Sequence, residues 1–183
     1  MTTPLRLEDL PHYTDQDYRQ WEGDWELIHG IPYAMAPAPV KRHQMLTLAI
    51  GSGLLAEVSD CPDGEVLLET DWVVRPDTVL RPDVALVCRD DNPRHIAKTP
   101  ELIFEVLGPS TATRDQGLKL REYEAAGVRY YVLIDPDELR AAIHRHDGER
   151  FRLIAECSTG RFDFAEVYCP VSMDFATLFQ RFR

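Results

Sequence analysis

The sequence predicts a mixed α/β fold whose core runs helix, three strands, helix, strand, with β-hairpins at its edges. Two apolar runs, Val84 to Cys88 and Leu102 to Leu107, read as central strands covered on both faces. A third run, Tyr130 to Ile134, is stopped by Asp135-Pro136. Leu46, Ile50, Leu54 and Val58 recur every four residues, which lines them along one face of a helix from Val40 to about Ser59.

The remaining elements come in chain order. The segment holding Tyr13, Asp15, Asp17 and Tyr18 predicts a short helix packed on the outside. Trp25 to Met35 reads as two short strands around a tight turn at His29-Gly30, ended by Pro37 and Pro39. Gly51 and Gly53 predict close packing of the first long helix against the sheet. A β-rich block, Val66 to Val74, precedes a turn at Pro76-Asp77. Gly108-Pro109-Ser110-Thr111 breaks the strand that starts at Leu102. Thr113 with Gln116 has capping-box spacing and Gly127 is a helix terminator, so a helix is expected from Arg114 to Ala126. Ala141 to Ile154 centres on Asp147-Gly148, a strong hairpin signal. Val167, Val171, Met173, Phe175, Leu178 and Phe179 supply a last strand and a short helix.

A chain of 183 residues with 44% hydrophobic content fits one domain spanning 1–183. No apolar run reaches the ~18 residues of a membrane helix, and the N-terminus lacks a signal-peptide core, so a cytoplasmic protein is expected. Cys61, Cys88, Cys157 and Cys169 form no Cys-x-x-Cys pair, and free thiols in a reducing compartment are expected. A net charge of -11 argues against a general nucleic-acid-coating surface. It leaves room for a local basic groove, with Lys41, Arg42, Arg81, Arg114, Lys119 and Arg121 as candidates.

Acids on apolar strands need a reason, because a buried carboxylate is costly unless paired, hydrogen-bonded or bound to a metal. Pro-Asp occurs at residues 62, 76, 82 and 136, and most of these are turns. Asp83 stands apart because an apolar strand comes directly after it and can hold its carboxylate at a fixed point. Glu105 lies inside an apolar strand, where a charged residue needs a role or a partner. Glu101 sits at the mouth of the same strand and is expected to be exposed.

Lys119 has Asp115 one turn before it and Tyr123 one turn after. It is either a surface Asp-Lys pair worth about 0.3–0.5 kcal/mol or a cation reaching the two acids. His43, near its helix start, can ligate a metal, contact a phosphate or face solvent. Glu26 either reaches the same site or pairs with Lys41 or Arg42. His144 and His146 lack a third ligand and are assigned to a solvated hairpin face.

At these residues the chain resembles the Uma-two group of restriction endonuclease-like proteins, within the PD-(D/E)xK nuclease superfamily. The resemblance covers most of the chain and rests on Trp25 to Gly30, Met35-Ala36-Pro37 with His43 after it, Arg81-Pro82-Asp83-Val84 and Glu105 to Ser110. It continues through Asp115 to Lys119, Tyr123, Ala126-Gly127-Val128 and Leu133 to Pro136. Taken jointly, in this order and spacing, these segments are specific; singly they are weak.

The resemblance implies a restriction endonuclease-like core, in agreement with the order read from the residues. It makes Asp83 and Glu105 the two acids. The superfamily's lysine normally stands two residues after the second acid, where this chain has Leu107; Lys119 on the next helix matches the position that takes its place. Glu26 and His43 also match. The activity so implied is that of an endonuclease hydrolysing DNA phosphodiesters, with Mg2+ or Mn2+ held by Asp83 and Glu105 and with Lys119 as the charge-stabilising group. The alternatives are a catalytically silent nucleic-acid-binding or protein-interaction module on the same fold, or a phosphodiesterase acting on small nucleotides or RNA. Such nucleases commonly pair two sites, which leaves a homodimer open.

Overall fold

The His29-Gly30 turn sets the first register. The structure, a computed structural model, describes residues 10–35, 40–108 and 115–183. Strand β1 (Trp25–Ile28) pairs antiparallel with β2 (Ile31–Ala34). His29 at φ 52° and Gly30 at φ 75° form the left-handed two-residue turn that matches strand twist. A Cβ on Gly30 would also collide with the His12 ring. Helix α1 (Asp15–Tyr18) begins with a capping box in which Thr14 and Asp17 exchange bonds.

Helix α2 (Lys41–Glu57) buries Leu46, Ile50 and Leu54 as the spacing predicts, and a 3-10 turn (Val58–Asp60) closes it. Gly51 lets Leu68 approach so closely that a Cβ there would stand 2.7 Å from Leu68 Cδ2. The block from Val66 to Val74 is divided between two sheets. Strand β3 (Gly64–Leu68) joins the central sheet, whereas β4 (Trp72–Arg75) pairs with β5 (Thr78–Leu80) in a second sheet of order β2-β1-β5-β4. The Glu69-Thr70-Asp71 interruption accounts for the division, with Glu69 at φ 46°.

The central sheet contains β6 (Val84–Cys88), β7 (Leu102–Val106), β8 (Tyr130–Asp135), β9 (Arg140–His146) and β10 (Phe151–Cys157), in the order β10-β9-β8-β7-β6-β3. Its β7–β8 pair is parallel and needs the crossover that α3 (Leu120–Ala125) supplies; the other pairs are antiparallel. A π-helical turn (Asp115–Lys119) leads into α3. The expected cap at Thr113, the helix start at Arg114 and the Pro37 and Pro39 terminators lie outside the described residues. Strand β11 (Arg161–Phe164), which no sequence signal indicated, pairs with β12 (Val171–Asp174), and α4 (Phe175–Gln180) ends the fold.

Strand alternation separates two cores. Val84, Leu86, Phe104 and Val106 face Leu46, Ile50 and Leu54 of α2. Ala85, Val87, Ile103 and Tyr131 face Tyr123, Trp72 and Ile28. Period two therefore sends Glu105 to the Ile103 side, under α3.

The free-thiol expectation is corrected for two cysteines: Cys61 and Cys169 form a disulfide across 108 residues of sequence. Gly64 pairs with Cys88, which brings Cys61 beside the end of β6, and Cys88 Sγ lies 3.7 Å from Cys169 Sγ. Such an encounter depends on sheet register, so sequence spacing carries no trace of it. The Cys88 thiol is pushed up to about 11, chiefly by burial.

Candidate active site

The β6–β7 ladder runs Leu86↔Leu102, Ala85↔Ile103, Val84↔Phe104. Asp83 and Glu105 each stand one residue beyond the last rung of this ladder, on neighbouring chain segments. Asp83 Oδ2 accepts from the Val106 amide at 2.7 Å, so the carboxylate is fixed to the neighbouring strand. His43 Nε2 stands 3.2 Å from the same oxygen, reaching in from the first turn of α2.

Glu105 is 2% exposed and Lys119 4%. Lys119 Nζ donates to Glu105 Oε1 at 2.9 Å and to the Arg81 carbonyl at 3.1 Å, and it pairs with Glu26 Oε1 at 3.0 Å. Asp115 Oδ1, one turn earlier, is 3.9 Å away. Lys119 is thus the buried cation of a carboxylate cage, and the surface-pair alternative is excluded. Glu26 faces this cage and also accepts from the Arg81 amide at 3.0 Å, rather than pairing with Lys41 or Arg42.

Tyr123 completes the cluster, since its hydroxyl donates to Glu105 Oε1 at 2.7 Å. Tyr131 holds the start of the π-helical turn by donating to the Asp115 carbonyl at 2.9 Å. Sequence reasoning placed Tyr123 one turn beyond Lys119 without giving it a partner. The four-residue steps 115, 119 and 123, aligned on one helical face, were the available signal.

Burial is the largest influence on Glu105 and pushes its carboxyl well above the usual range; Asp83 and Asp115 add to this, while Lys119 and Tyr123 pull against it. Burial alone would strip the proton from Lys119, but the charges of Glu105, Glu26, Asp115 and Asp83 outweigh it and hold the ammonium. For His43, burial lowers the pKa, yet the bond and charge of Asp83, with Glu69 and Asp115, raise it on balance. Among the described residues, two bases therefore meet four acids, Glu26, Asp83, Glu105 and Asp115.

Other candidates fall outside the cluster. Asp77 lies in the β4–β5 turn, bonded to Arg75 at 3.1 Å and to Thr78 at 3.0 Å. Arg81 is tied to Asp71 at 2.7 Å and Asp24 at 2.8 Å, and Arg42 donates to the Phe182 carbonyl at 2.7 Å. With Lys119 buried as well, three of the six bases suggested for a groove are engaged within the protein, and Arg114 lies outside the described residues. The solvated assignment of His144 is corrected too. It is half-buried beside Tyr131 and Phe151, and its Nδ1 is buried with no partner among the described residues. No helix among the described residues is long and apolar enough to cross a membrane.

Comparison with known proteins places this geometry. The "Uncharacterized protein slr1290" of Synechocystis sp. (strain ATCC 27184 / PCC 6803 / Kazusa) is 24% identical over 175 residues, covering 90% of this chain and 91% of that protein. The crystal structure of a "putative nuclease belonging to DUF820" from Anabaena variabilis ATCC 29413 superposes with a TM-score of 0.74 at 17% identity, covering 93% of this chain and 99% of that one. That likeness shows the restriction endonuclease-like fold. A family model described as "Putative restriction endonuclease" matches residues 15–161. The chain, with its acids and lysine gathered at one end of such a sheet, belongs to the Uma2 family.

Proposed function

We propose that the protein is a metal-dependent endonuclease hydrolysing DNA phosphodiesters, with Asp83, Glu105 and Lys119 as its catalytic set. The observation that carries this is the bond from the Val106 amide to Asp83, which fixes one carboxylate beside the strand position of the other. The donor chemistry fits Mg2+ or Mn2+, since the carboxylates of Asp83 and Glu105 offer only hard oxygen donors. Among the described residues no group of three or more His, Cys, Asp or Glu has metal-holding geometry. Two carboxylates suit an ion that keeps several waters and binds substrate phosphate. Asp83 and Glu105 would hold it, and the bound cation supplies a polarised phosphate oxygen and a more acidic water.

The protein's own groups do the rest. His43 and the Val106 amide orient Asp83. Lys119 and Tyr123 both address Oε1 of Glu105, which fixes the direction of the carboxylate. Lys119 stays protonated, so it contributes positive charge against the developing phosphorane and does not act as a base. Glu105 has to lose its proton to ligate, so cleavage rises with pH through its elevated range.

The test is nicking of plasmid and single-stranded DNA with Mg2+ or Mn2+, comparing the wild type with Asp83→Ala, Glu105→Ala and Lys119→Ala. Metal-dependent cutting lost in all three supports the reading. A wild type that binds metal and cuts nothing, or variants that cut as well as the wild type, would end it. The engagement of Arg81 and Lys119 within the protein favours, as a second reading, a phosphodiesterase acting on small nucleotides, so small nucleotides and RNA belong in the same assay.

A further inference from the structure

The π-helical turn serves two places at once. Asp115 and Lys119 enter the acid cage, while Gln116 and Leu120, the next residue after each, border a cavity of about 330 Å³. Sheet register places that cavity beside the acids. Glu105 pairs with Leu133, Leu133 with Ala142 and Ala142 with Glu156, so the four form one row on one face of β7, β8, β9 and β10. Leu133, Ala142 and Glu156 all border the cavity, which therefore begins one strand spacing, ~4.8 Å, from Glu105.

The lining is mixed in a way that selects its occupant. Leu120, Leu133 and Ala142 are apolar, and Gln116 and His144 each offer a donor and an acceptor. Burial holds the His144 ring below its ordinary range and so keeps it neutral. Asp135 and Glu156 stand at the border as acids, and Arg140 lies 3.7 Å from Glu156, which leaves little to attract a second phosphate. A flat, uncharged group with hydrogen-bonding edges suits these walls, and a nucleobase is such a group. The volume, at the lower end for ligand sites, suits one nucleoside and excludes a duplex.

We infer, on the basis of the nuclease reading above, that this cavity takes the base of the nucleotide whose phosphate lies at Asp83 and Glu105, with Gln116 and His144 meeting the edge of the base. A paired base keeps its faces stacked and shows only a groove edge, so it does not enter. The substrate class is therefore single-stranded DNA, unstacked at the nucleotide under attack.

The four deoxynucleoside 5′-monophosphates have no phosphodiester to cut, so they probe the cavity apart from the reaction. Titrated with Mg2+ into the full chain, at least one should move the His144 ring signal in the proton NMR spectrum, a signal assigned by its loss in His144→Phe. Ala142→Phe fills the half-buried floor and should weaken binding of that nucleotide by about ten-fold or more. Gln116→Leu, at an exposed position that does not threaten the fold, should flatten the discrimination among the four bases. In the nicking assay the wild type should prefer single-stranded to duplex DNA, and both variants should lose single-strand cleavage chiefly through a raised KM. A His144 signal that moves with none of the four nucleotides, or variants that bind and cut as the wild type does, would overturn the pocket while wild-type cutting kept the nuclease reading. Nucleotide binding in the pocket of a wild type that cuts nothing would support the pocket and end the nuclease reading.

Discussion

Glu122 and Tyr123 are neighbours on α3 yet serve two clusters that differ in one physical respect, access to water. Glu122 accepts from Arg75 at 2.8 Å and lies 2.8 Å from His29, with Asp77 beside the same arginine. Those bases are half in solvent, and acids and bases are evenly matched. Tyr123 points the other way, into the cage of Glu26, Glu105 and Asp115 around Lys119, with Asp83 at its rim. There the acids exceed the bases among the described residues, and water is excluded. The outer cluster can only clip the β1–β5 sheet to α3, since screening leaves it little energy. The inner one gathers its acids in a fixed, dry place, the condition under which a bound cation has the most to contribute.

Lys119→Met is the most severe way to break this contrast. It removes the cation shared by three buried carboxylates, and the expected loss of stability is about 3–5 kcal/mol, read by urea unfolding. Adding Glu26→Gln removes one of those charges and should recover part of the stability. Cleavage should stay lost, because the missing ammonium is not replaced. A double variant that regains both would reduce Lys119 to a structural residue.

Tyr123→Phe is milder and sharper. It deletes one bond to Glu105 and leaves the packing against Trp72 and Tyr131 in place. A hydrogen bond to a charged group is worth about 1.5–3 kcal/mol, and that loss should appear in the unfolding midpoint. The variant should also shift the pH profile of cleavage upward, since Glu105 loses a donor that favours its ionised form.

Most of the inner cluster was legible in the sequence because its members sit on regular elements. The apolar runs of β6 and β7 singled out Asp83 and Glu105 by the cost of leaving them unpaired. Helical spacing aligned Asp115, Lys119 and Tyr123. The clip around Glu122 was not legible, because it joins residues 46 and 93 positions apart across a sheet whose strands β4 and β5 are short and interrupted. The same holds for the Cys61–Cys169 disulfide. Contacts that depend on register between distant strands have no periodicity to betray them.

His43 tests the rim of the cluster through pH. Its pKa is raised above the usual 6.5 by Asp83, so the pair contributes stability that is fully present below about 6.5 and fades as pH rises through the elevated value. The melting-temperature gap between wild type and His43→Gln should therefore be larger near pH 6 than near pH 9, by an amount corresponding to about 1 kcal/mol. A gap that widens with pH would mean that His43 is held neutral, with Asp83 bound chiefly by the Val106 amide.

The outer cluster should yield the smallest effect. Arg75→Gln removes the pairs with Glu122 and Asp77, but the arginine is about one-third exposed and His29 remains 2.8 Å from Glu122. The expected cost is below about 1 kcal/mol, shrinking further as salt rises, with cleavage unchanged. The measurement is unfolding of wild type and variant at low and high ionic strength, alongside the nicking assay. If Arg75→Gln instead abolished cleavage without unfolding the protein, the boundary drawn between Glu122 and Tyr123 would be in the wrong place, and the outer sheet would have to be counted as part of the substrate surface.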